Sequence, residues 1–525
     1  MKKNLYFVFT TAILIFWSSC RKDFEFDLSS GNLEFSKDTV YLDTVFSNIG
    51  SSTYNLKVFN TSDNDIVIPT LRLSQGQNSM YRLNVDGQTG VGTTSGREFQ
   101  NIEILAKDSM YIFIETTIDI QQLVENNNQF LYTDAIEFDS GSNLQKVELV
   151  TLVKDAVFIY PQRFINEEGA YIKETLSFDI DGDGIDDETA IEGRFLTQSE
   201  LTFTNEKPYV IYGYAAVGDA QTLHIEPGAR IHFHSKSGLL VATGGSINAQ
   251  GALSANSDLM EGEIIFEGDR LEPGFADIPG QWETIWLFNG SINNIFKHVT
   301  IKNSTVGILC EGNQEDFSKL NITNTQIYNS SNFGILGRAT SIFGENLVIN
   351  SSGQSSFAGT YGGRYNFVHS TITNYWNKSF RQFPAILLNN YIINEDNSVQ
   401  LNALETADFT NTIIFGNDNL ELLLDKNNDA TFNFKFTNCL IKFSDPNNNF
   451  NTEEYDFDNT NYYENIRVNE DPEFLDPFQN KLQIPNLSPS DGAGIISGNL
   501  FLDILGTTRS NPPDLGAYES TVFDN

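Results

Sequence analysis

One short pattern recurs through residues 285–445 at intervals that few folds can accommodate. It reads apolar, any residue, apolar, any residue, Asn. Val299-Thr300-Ile301-Lys302-Asn303 returns as Leu320-Asn321-Ile322-Thr323-Asn324 and as Leu347-Val348-Ile349-Asn350-Ser351, then in three copies ending at Asn374, Asn411 and Asn438. The middle position is Ile301, Ile322, Ile349, Ile372, Phe409 and Phe436, and the closing positions are separated by 21, 27, 23, 37 and 27 residues. Spacings of this order are those of a solenoid or array. Alternation over so short a run is strand periodicity with one face buried, and no window shows the 3.6-residue period of a helical repeat. Stacked in parallel, such strands bond to the rungs above and below at about 4.8 Å. The aliphatic positions then fill a cylinder. Each Asn is expected inward at a bend, bonding turn backbone and the Asn of the next rung as a satisfied polar column.

Residues 222–251, TLHIEPGARIHFHSKSGLLVATGGSINAQG, write out one coil as strand, Pro-Gly bend, strand and Gly-Gly bend. The chain ends with EDPEFLDP (470–477), LSPSDGAG (487–494) and DLGAYES (514–520). With the rungs, these stretches resemble the right-handed parallel β-helix of the pectate-lyase-like solenoid superfamily, including a closing segment common in its surface proteins. The resemblance covers residues 206–525 as a β-helix with a C-terminal cap and implies structural roles for Asp514, Gly516 and Glu519. A cap would cover the open edge of the last coil. An ordinary sandwich with Asn-rich turns is the competing reading.

Lys2 and Lys3 precede an apolar run, Leu5 to Trp17, that is too short to span a membrane comfortably, followed by Ser18-Ser19-Cys20. This is the form of a signal peptide over residues 1–19. Cys20 after two small residues resembles a bacterial lipobox, with Trp17 where Leu is usual. The resemblance implies a lipid on Cys20 and a protein tied to the outer membrane of a Gram-negative envelope, facing the periplasm or the surface. The remaining cysteines, Cys310 and Cys439, suit buried apolar positions. With 32 basic against 69 acidic residues, nucleic acid and anionic lipid head groups are excluded as partners.

Residues 20–155 carry short strand-like runs without the Asn rungs, among them Thr39-Val40-Tyr41-Leu42, Tyr54-Asn55-Leu56-Lys57-Val58 and Met110-Tyr111-Ile112-Phe113-Ile114. Turn residues separate them every ten or so positions. The stretch resembles an immunoglobulin-like β-sandwich and is expected to be a spacer. Residues 156–205 read as a linker holding Asp179-Ile180-Asp181-Gly182-Asp183-Gly184-Ile185-Asp186-Asp187. Asp179, Asp181, Asp183, the Ile185 carbonyl and Asp187 stand at positions 1, 3, 5, 7 and 9 of a calcium loop, with Gly at 6. Ala190 replaces the usual Glu at 12, so calcium competes with an acidic solvated linker as the reading.

Two classes of function fit an all-β chain of this kind. A polysaccharide lyase or glycoside hydrolase acting on an anionic polysaccharide would need paired titratable groups on outward rung positions. The outward positions from Thr300 to Thr437 carry one carboxylate, Asp408, and Arg338, Arg364 and Arg381 are placed in loops. A binding protein or scaffold, contacting a glycan or an envelope protein, would use exposed aromatics instead. Trp282, Trp286, Tyr361, Tyr365, Tyr375 and Trp376 lie on or beside rungs. The expectation is therefore contact and not chemistry.

Overall fold

The structure is a computed structural model describing residues 25–90, 95–119, 131–165, 169–256, 259–312, 319–497 and 500–523. Cys20 lies outside the described residues. The chain is all-β and divides into two units, 1–155 and 156–525.

The first unit is a two-sheet sandwich. One sheet runs Asp27–Leu28, Ile66–Leu73, Leu131–Phe138, Gln145–Lys154, Thr39–Phe46, with Glu98–Ile104 also paired to Ile66–Leu73. The other runs Glu34–Phe35, Tyr54–Phe59, Ser109–Thr116, Tyr81–Val85. Period-two alternation sends Met110, Ile112 and Ile114 inward, where they meet Ile68, Leu71, Phe138 and Leu149 of the opposite sheet. Tyr111 and Phe113, between them, point out.

The second unit is a parallel β-helix with three faces, which we call A, B and C; the chain visits C, then A, then B in each coil. Inward residues stack in register. On face A the column is Tyr209, Ile231, Phe266, Ile301, Ile327, Ile349, Ile372, Ile414, Ile441 and Val468. Face B stacks Ala215, Leu239, Ile285, Ile308, Ile335, Phe357, Ile386 and Leu422. Face C stacks Phe203, Ile225, Ala249, Phe296, Ile322, Gly344, Phe367, Phe409, Phe436 and Tyr463. Gly344 is small of necessity, because a Cβ there would lie 2.5 Å from the Phe367 ring. Beyond it the column becomes an aromatic stack, with ring centroids 5.3, 4.9 and 5.6 Å apart from Phe367 through Phe409 and Phe436 to Tyr463.

This register corrects the sequence-based column. Ile301, Ile349 and Ile372 belong to face A, whereas Ile322, Phe409 and Phe436 belong to face C, so one motif marks two strands of each coil. The closing residues separate likewise. Asn324, Asn411 and Asn438 stand at the C-to-A corner with His298, Asn346, His369 and Asn465, all with φ between +46° and +53°. Asn303 and Ser351 stand at the A-to-B corner with Asn329, at φ +64°, +56° and +58°, and Asn374 follows them. Asn recurs at these corners because it tolerates the left-handed region better than other residues with a Cβ. Most of the amides do not form the expected inward column. Asn303, Asn411 and Asn438 donate to the carbonyls of Ala276 (2.8 Å), Ile495 (2.7 Å) and Ala493 (3.0 Å), in segments that run over the solenoid. Asn374 donates to Ser352 and Gln354. Asn324 does take an amide hydrogen bond from its neighbour Asn346, at 2.8 Å.

Two further boundaries differ from expectation. The segment 156–205 is the first coil and not a linker: Val157–Ile159 pairs in parallel with Tyr209–Ile211, Gly193 to Phe195 with Tyr214 to Ala216, and Thr202–Phe203 with His224 and Ile225. The C-terminal segment 471–523 lies along the outer side of face A, where Phe474, Leu482, Ile484, Leu515 and Tyr518 cover Val348, Ile413, Phe415 and Leu440. The solenoid end is packed by Phe443, Phe450, Tyr455 and Phe457 beside Tyr463.

Candidate functional site

The first rungs of face A carry a polar group on their outer side. In the strand Ile264–Gly268, Ile264 and Phe266 point inward, so the pleat turns Glu263, Ile265 and Glu267 outward. The rung before presents Arg230 and His232, the next Thr300 and Lys302, and the one after Gln326 and Tyr328. Thr300 donates to Glu263 at 2.8 Å, and Lys302 Nζ lies 2.8 Å from Glu267, with His232 Nδ1 at 3.6 Å from the other Glu267 oxygen.

Three segments border this floor. The loop before Glu263 receives the Arg230 guanidinium on the carbonyls of Met260 (2.7 Å) and Glu263 (2.6 Å). On the A-to-B side, residues 269–281 are held by Gln281, which donates to the carbonyls of Phe275 and Ile278. That loop brings Asp277 to Asn329 (3.3 Å) and buried Asp269 to His234 Nδ1 (2.8 Å), while the Tyr212 ring stacks on His234 at 4.3 Å. The C-terminal segment closes the far side through Tyr518 with Gln326 and Asn480 with Asn329, both at 3.5 Å.

The two glutamates are driven apart in acidity. Burial raises the Glu263 carboxyl above the ordinary range, and the Thr300 hydrogen bond and Arg230 only partly offset it. Burial also works against the Glu267 carboxylate, but the charges of His232, Lys302 and Arg230 outweigh it and hold Glu267 below the ordinary range. Burial raises the Tyr328 phenol, and Glu263, Glu267 and Asp277 add to that. Burial and ion pairing thus shift two carboxyls of one strand in opposite directions, a contrast that acid–base sites often show.

The sequence reading missed both glutamates because its columns began at Val299. Carrying the outward positions Thr300 and Lys302 back one rung would have found them in Glu263-Ile264-Ile265-Phe266-Glu267. The expected aromatics are not brought together. Trp282 and Tyr365 are core residues and not a binding surface. Trp282 is 1% exposed, stacked on Phe233 at 4.3 Å, and Tyr365 is fully buried with its hydroxyl on the Gly362 carbonyl. Trp376 is buried against its own loop, donating to Ser379. Tyr375 packs edge-on against Phe474 and Phe478 of the C-terminal segment. Trp286 does point outward, but Phe178 of the Thr175–Phe178 strand packs on it, and its indole donates to Glu311 at 2.7 Å. Tyr361 is half-buried at a B-to-C corner with φ +55°.

The arginines are also placed differently. Arg338 and Arg364 lie on strands, and Arg381 is buried in a two-pronged pair with Glu421 at 2.7 and 2.8 Å.

The Asp-rich loop joins two antiparallel strands, Thr175–Phe178 and Asp187–Phe195. Asp179, Asp181 and Asp187 each place a carboxylate oxygen within 4.8 Å of the others. Gly182 and Gly184, at φ +83° and +85°, turn their N–H groups onto Asp179. Asp183 is turned away, accepting from the Ile185 N–H at 2.8 Å. The carboxylate set fits a hard cation from three of the expected ligands.

No protein-family model matches this sequence, and no curated protein matches it. Among solved structures, the chain is similar at 11% identity and TM-score 0.18 to the catalytic unit of a GH87 alpha-1,3-glucanase from Streptomyces thermodiastaticus, over 73% of this chain and 79% of that one. A family 123 glycoside hydrolase from Clostridium perfringens matches at 10% identity and TM-score 0.17, over 24% of this chain; the match spans only 27% of that chain. The E. coli chaperone DraB matches at 12% identity and TM-score 0.16, over 29% of this chain and 83% of that one. At such TM-scores none of these likenesses carries an argument about activity.

Proposed function

We propose that the β-helix acts on an uncharged glycan laid across the first rungs of face A, with Glu263 as proton donor to a glycosidic oxygen and Glu267 as the ionised carboxylate two pleats further along the same strand. The opposed acidities of these two residues on one strand carry this reading. Lys302, Gln326 and Tyr328 around them, each partly exposed, supply donors and acceptors of the kind sugar hydroxyls use. The chain's net charge of −37 disfavours an anionic polymer here. On this reading the protein is akin to the pectate-lyase-like β-helices. It also reverses the expectation of contact without chemistry, which rested on outward columns that stopped short of Glu263 and Glu267.

The test is release of reducing ends from a panel of neutral polysaccharides, including α- and β-glucans, xylan and mannan. Glu263→Gln should lower turnover at least a hundredfold, the scale of a general acid, while leaving retention on the same glycan unchanged. Absence of turnover on the whole panel, or turnover indifferent to Glu263→Gln, refutes the reading. Retention without turnover would return face A to a binding role, which the occupation of Glu267 by Lys302 favours.

The same proposal includes the anchor and the metal. Cys20 carries the lipid that ties the chain to the outer membrane, and calcium is held by Asp179, Asp181 and Asp187. The first unit, which follows Cys20 and precedes the β-helix in the sequence, is then an immunoglobulin-like module.

A further inference from the structure

The outer face of the four-stranded sheet in the first unit carries two aromatic rings that the core does not use. Tyr111 and Phe113 are 46% and 43% exposed, while Met110, Ile112 and Ile114 of the same strand are buried. The two rings lie nearly parallel, 16° apart, with centroids separated by 6.3 Å. They form a short exposed aromatic platform along the strand.

What surrounds the rings separates one class of ligand from others. Phe113 pairs across the sheet with Asn55 on one side and Asn84 on the other, and Tyr111 pairs with Lys57. Lys57 Nζ lies 5.3 Å from the Tyr111 ring and 5.2 Å from that of Phe59, which brackets the platform. Arg82 and Glu115, also paired across the sheet, are 3.6 Å apart. Each ring is therefore flanked by hydrogen-bonding side chains, and no outward Leu, Ile or Val stands on these strand positions. A protein-docking patch would want such aliphatic groups at its centre. In a chain of net charge −37, the cations Lys57 and Arg82 here stand against Glu34, Glu115 and exposed Asp86, whose N–H donates to the Tyr111 carbonyl, so the charges nearly balance and neither a polyanion nor a polycation is selected.

We infer that this platform binds a neutral glycan chain, whose sugar rings stack on Tyr111 and Phe113 while Asn55, Lys57 and Asn84 meet the hydroxyls. Rigid aromatic surface flanked by amides suits a ligand that presents C–H faces and hydroxyl edges alternately. The inference rests on the first unit alone and is independent of Glu263 and Glu267.

Affinity electrophoresis of the full chain carrying Glu263→Gln tests it, in gels containing dextran, laminarin, xyloglucan, galactomannan or soluble starch. At least one glycan should retard the protein. Tyr111→Ala and Phe113→Ala should each weaken retardation at least fivefold in at least one gel, and the double variant should leave only what face A retains. Phe113→Trp should retain it, and Tyr41→Ala, an exposed ring on the other sheet, should change nothing. The rings are exposed, so circular dichroism and melting temperature should stay as in the parent. No retardation in any gel, or retardation unchanged in a folded double variant, overturns the inference.

Discussion

Replacing His369 by Asn should make the β-helix less sensitive to acid. His369 occupies a C-to-A corner at φ +47° between Asn346 and Asn411, and it is 1% exposed. The Asn411 amide lies 2.8 Å from its Nε2. An amide nitrogen can only donate, so Nε2 accepts and the ring is neutral with its proton on Nδ1. Burial, then the charge of Arg509, pushes the imidazole pKa down to about 3. The sign follows from which state takes up the proton. An unfolded imidazole protonates near pH 6.5, whereas the folded one does not until about pH 3, so stability falls as pH drops through that interval by about 1.4 kcal/mol per unit. Between pH 7.5 and 5 the loss from this group is about 2 kcal/mol. Asn suits the left-handed corner and does not titrate, so His369→Asn should remove that loss while leaving the other contributions in place. His298, also depressed by burial, cancels in the comparison. Denaturant titrations at several pH values, read by tryptophan fluorescence, would measure it, because Trp282, Trp286 and Trp376 all report on the second unit. Parallel stability profiles for parent and variant would refute the reasoning.

Three other outcomes are expected. Trp282→Ala should cost about 3–5 kcal/mol by emptying a core position, whereas Trp286→Ala, half-exposed beneath Phe178, should cost about 1–2 kcal/mol; equal losses in denaturant melts would mean that the register on face B is wrong. Calcium should raise the melting temperature and chelator should reverse it, with Asp181→Ala removing the difference, since an ion bound only by the folded state stabilises it; melts indifferent to calcium would leave the loop as a hairpin turn. Palmitate should label the protein in cells, and Cys20→Ala should release it to the soluble fraction; an unlabelled but membrane-bound protein would refute the lipid anchor.

The fold was legible in the sequence because strand alternation and corner residues are local signals. Ile301-Lys302-Asn303 states a strand and the bend that ends it within a few residues. Which strands stack on which was not legible, since Ile301 and Ile322 carry the same local pattern and differ only in the face they build. The first coil was hidden for a related reason: its rungs are only Val157–Ile159, Gly193 to Phe195 and Thr202–Phe203, too short for alternation to register, and the acidic hairpin between them reads as linker. The aromatics misled because burial is set by tertiary packing that local pattern does not show: Trp282 stacks at 4.3 Å on Phe233, far away in sequence, and Tyr365 packs at 5.2 Å on Phe357 of another face.

The earlier and later rungs of face A can nevertheless be told apart from residue type once the register is known. Val348, Ile413, Phe415 and Leu440 are outward residues of later rungs, and each is apolar and covered by the C-terminal segment. Arg230, Glu263, Glu267 and Lys302 are outward residues of earlier rungs, and none is seated in an apolar cluster. The change occurs around Gln326 and Tyr328, where Tyr518 and Asn480 mark the edge of the covering segment. An apolar outward residue gains free energy only when something covers it, and a buried charge is costly unless it is paired. The two halves of the face therefore could not exchange sequences without loss. Glu263 sits at the limit of this rule, because burial raises its pKa without an ion pair like that between Glu267 and Lys302 to relieve it. A structural role would be served as well by Gln, which keeps the Thr300 hydrogen bond without the charge. Glu263→Gln should therefore hold or raise stability at neutral pH while abolishing turnover, and a loss of stability would assign the residue to the fold.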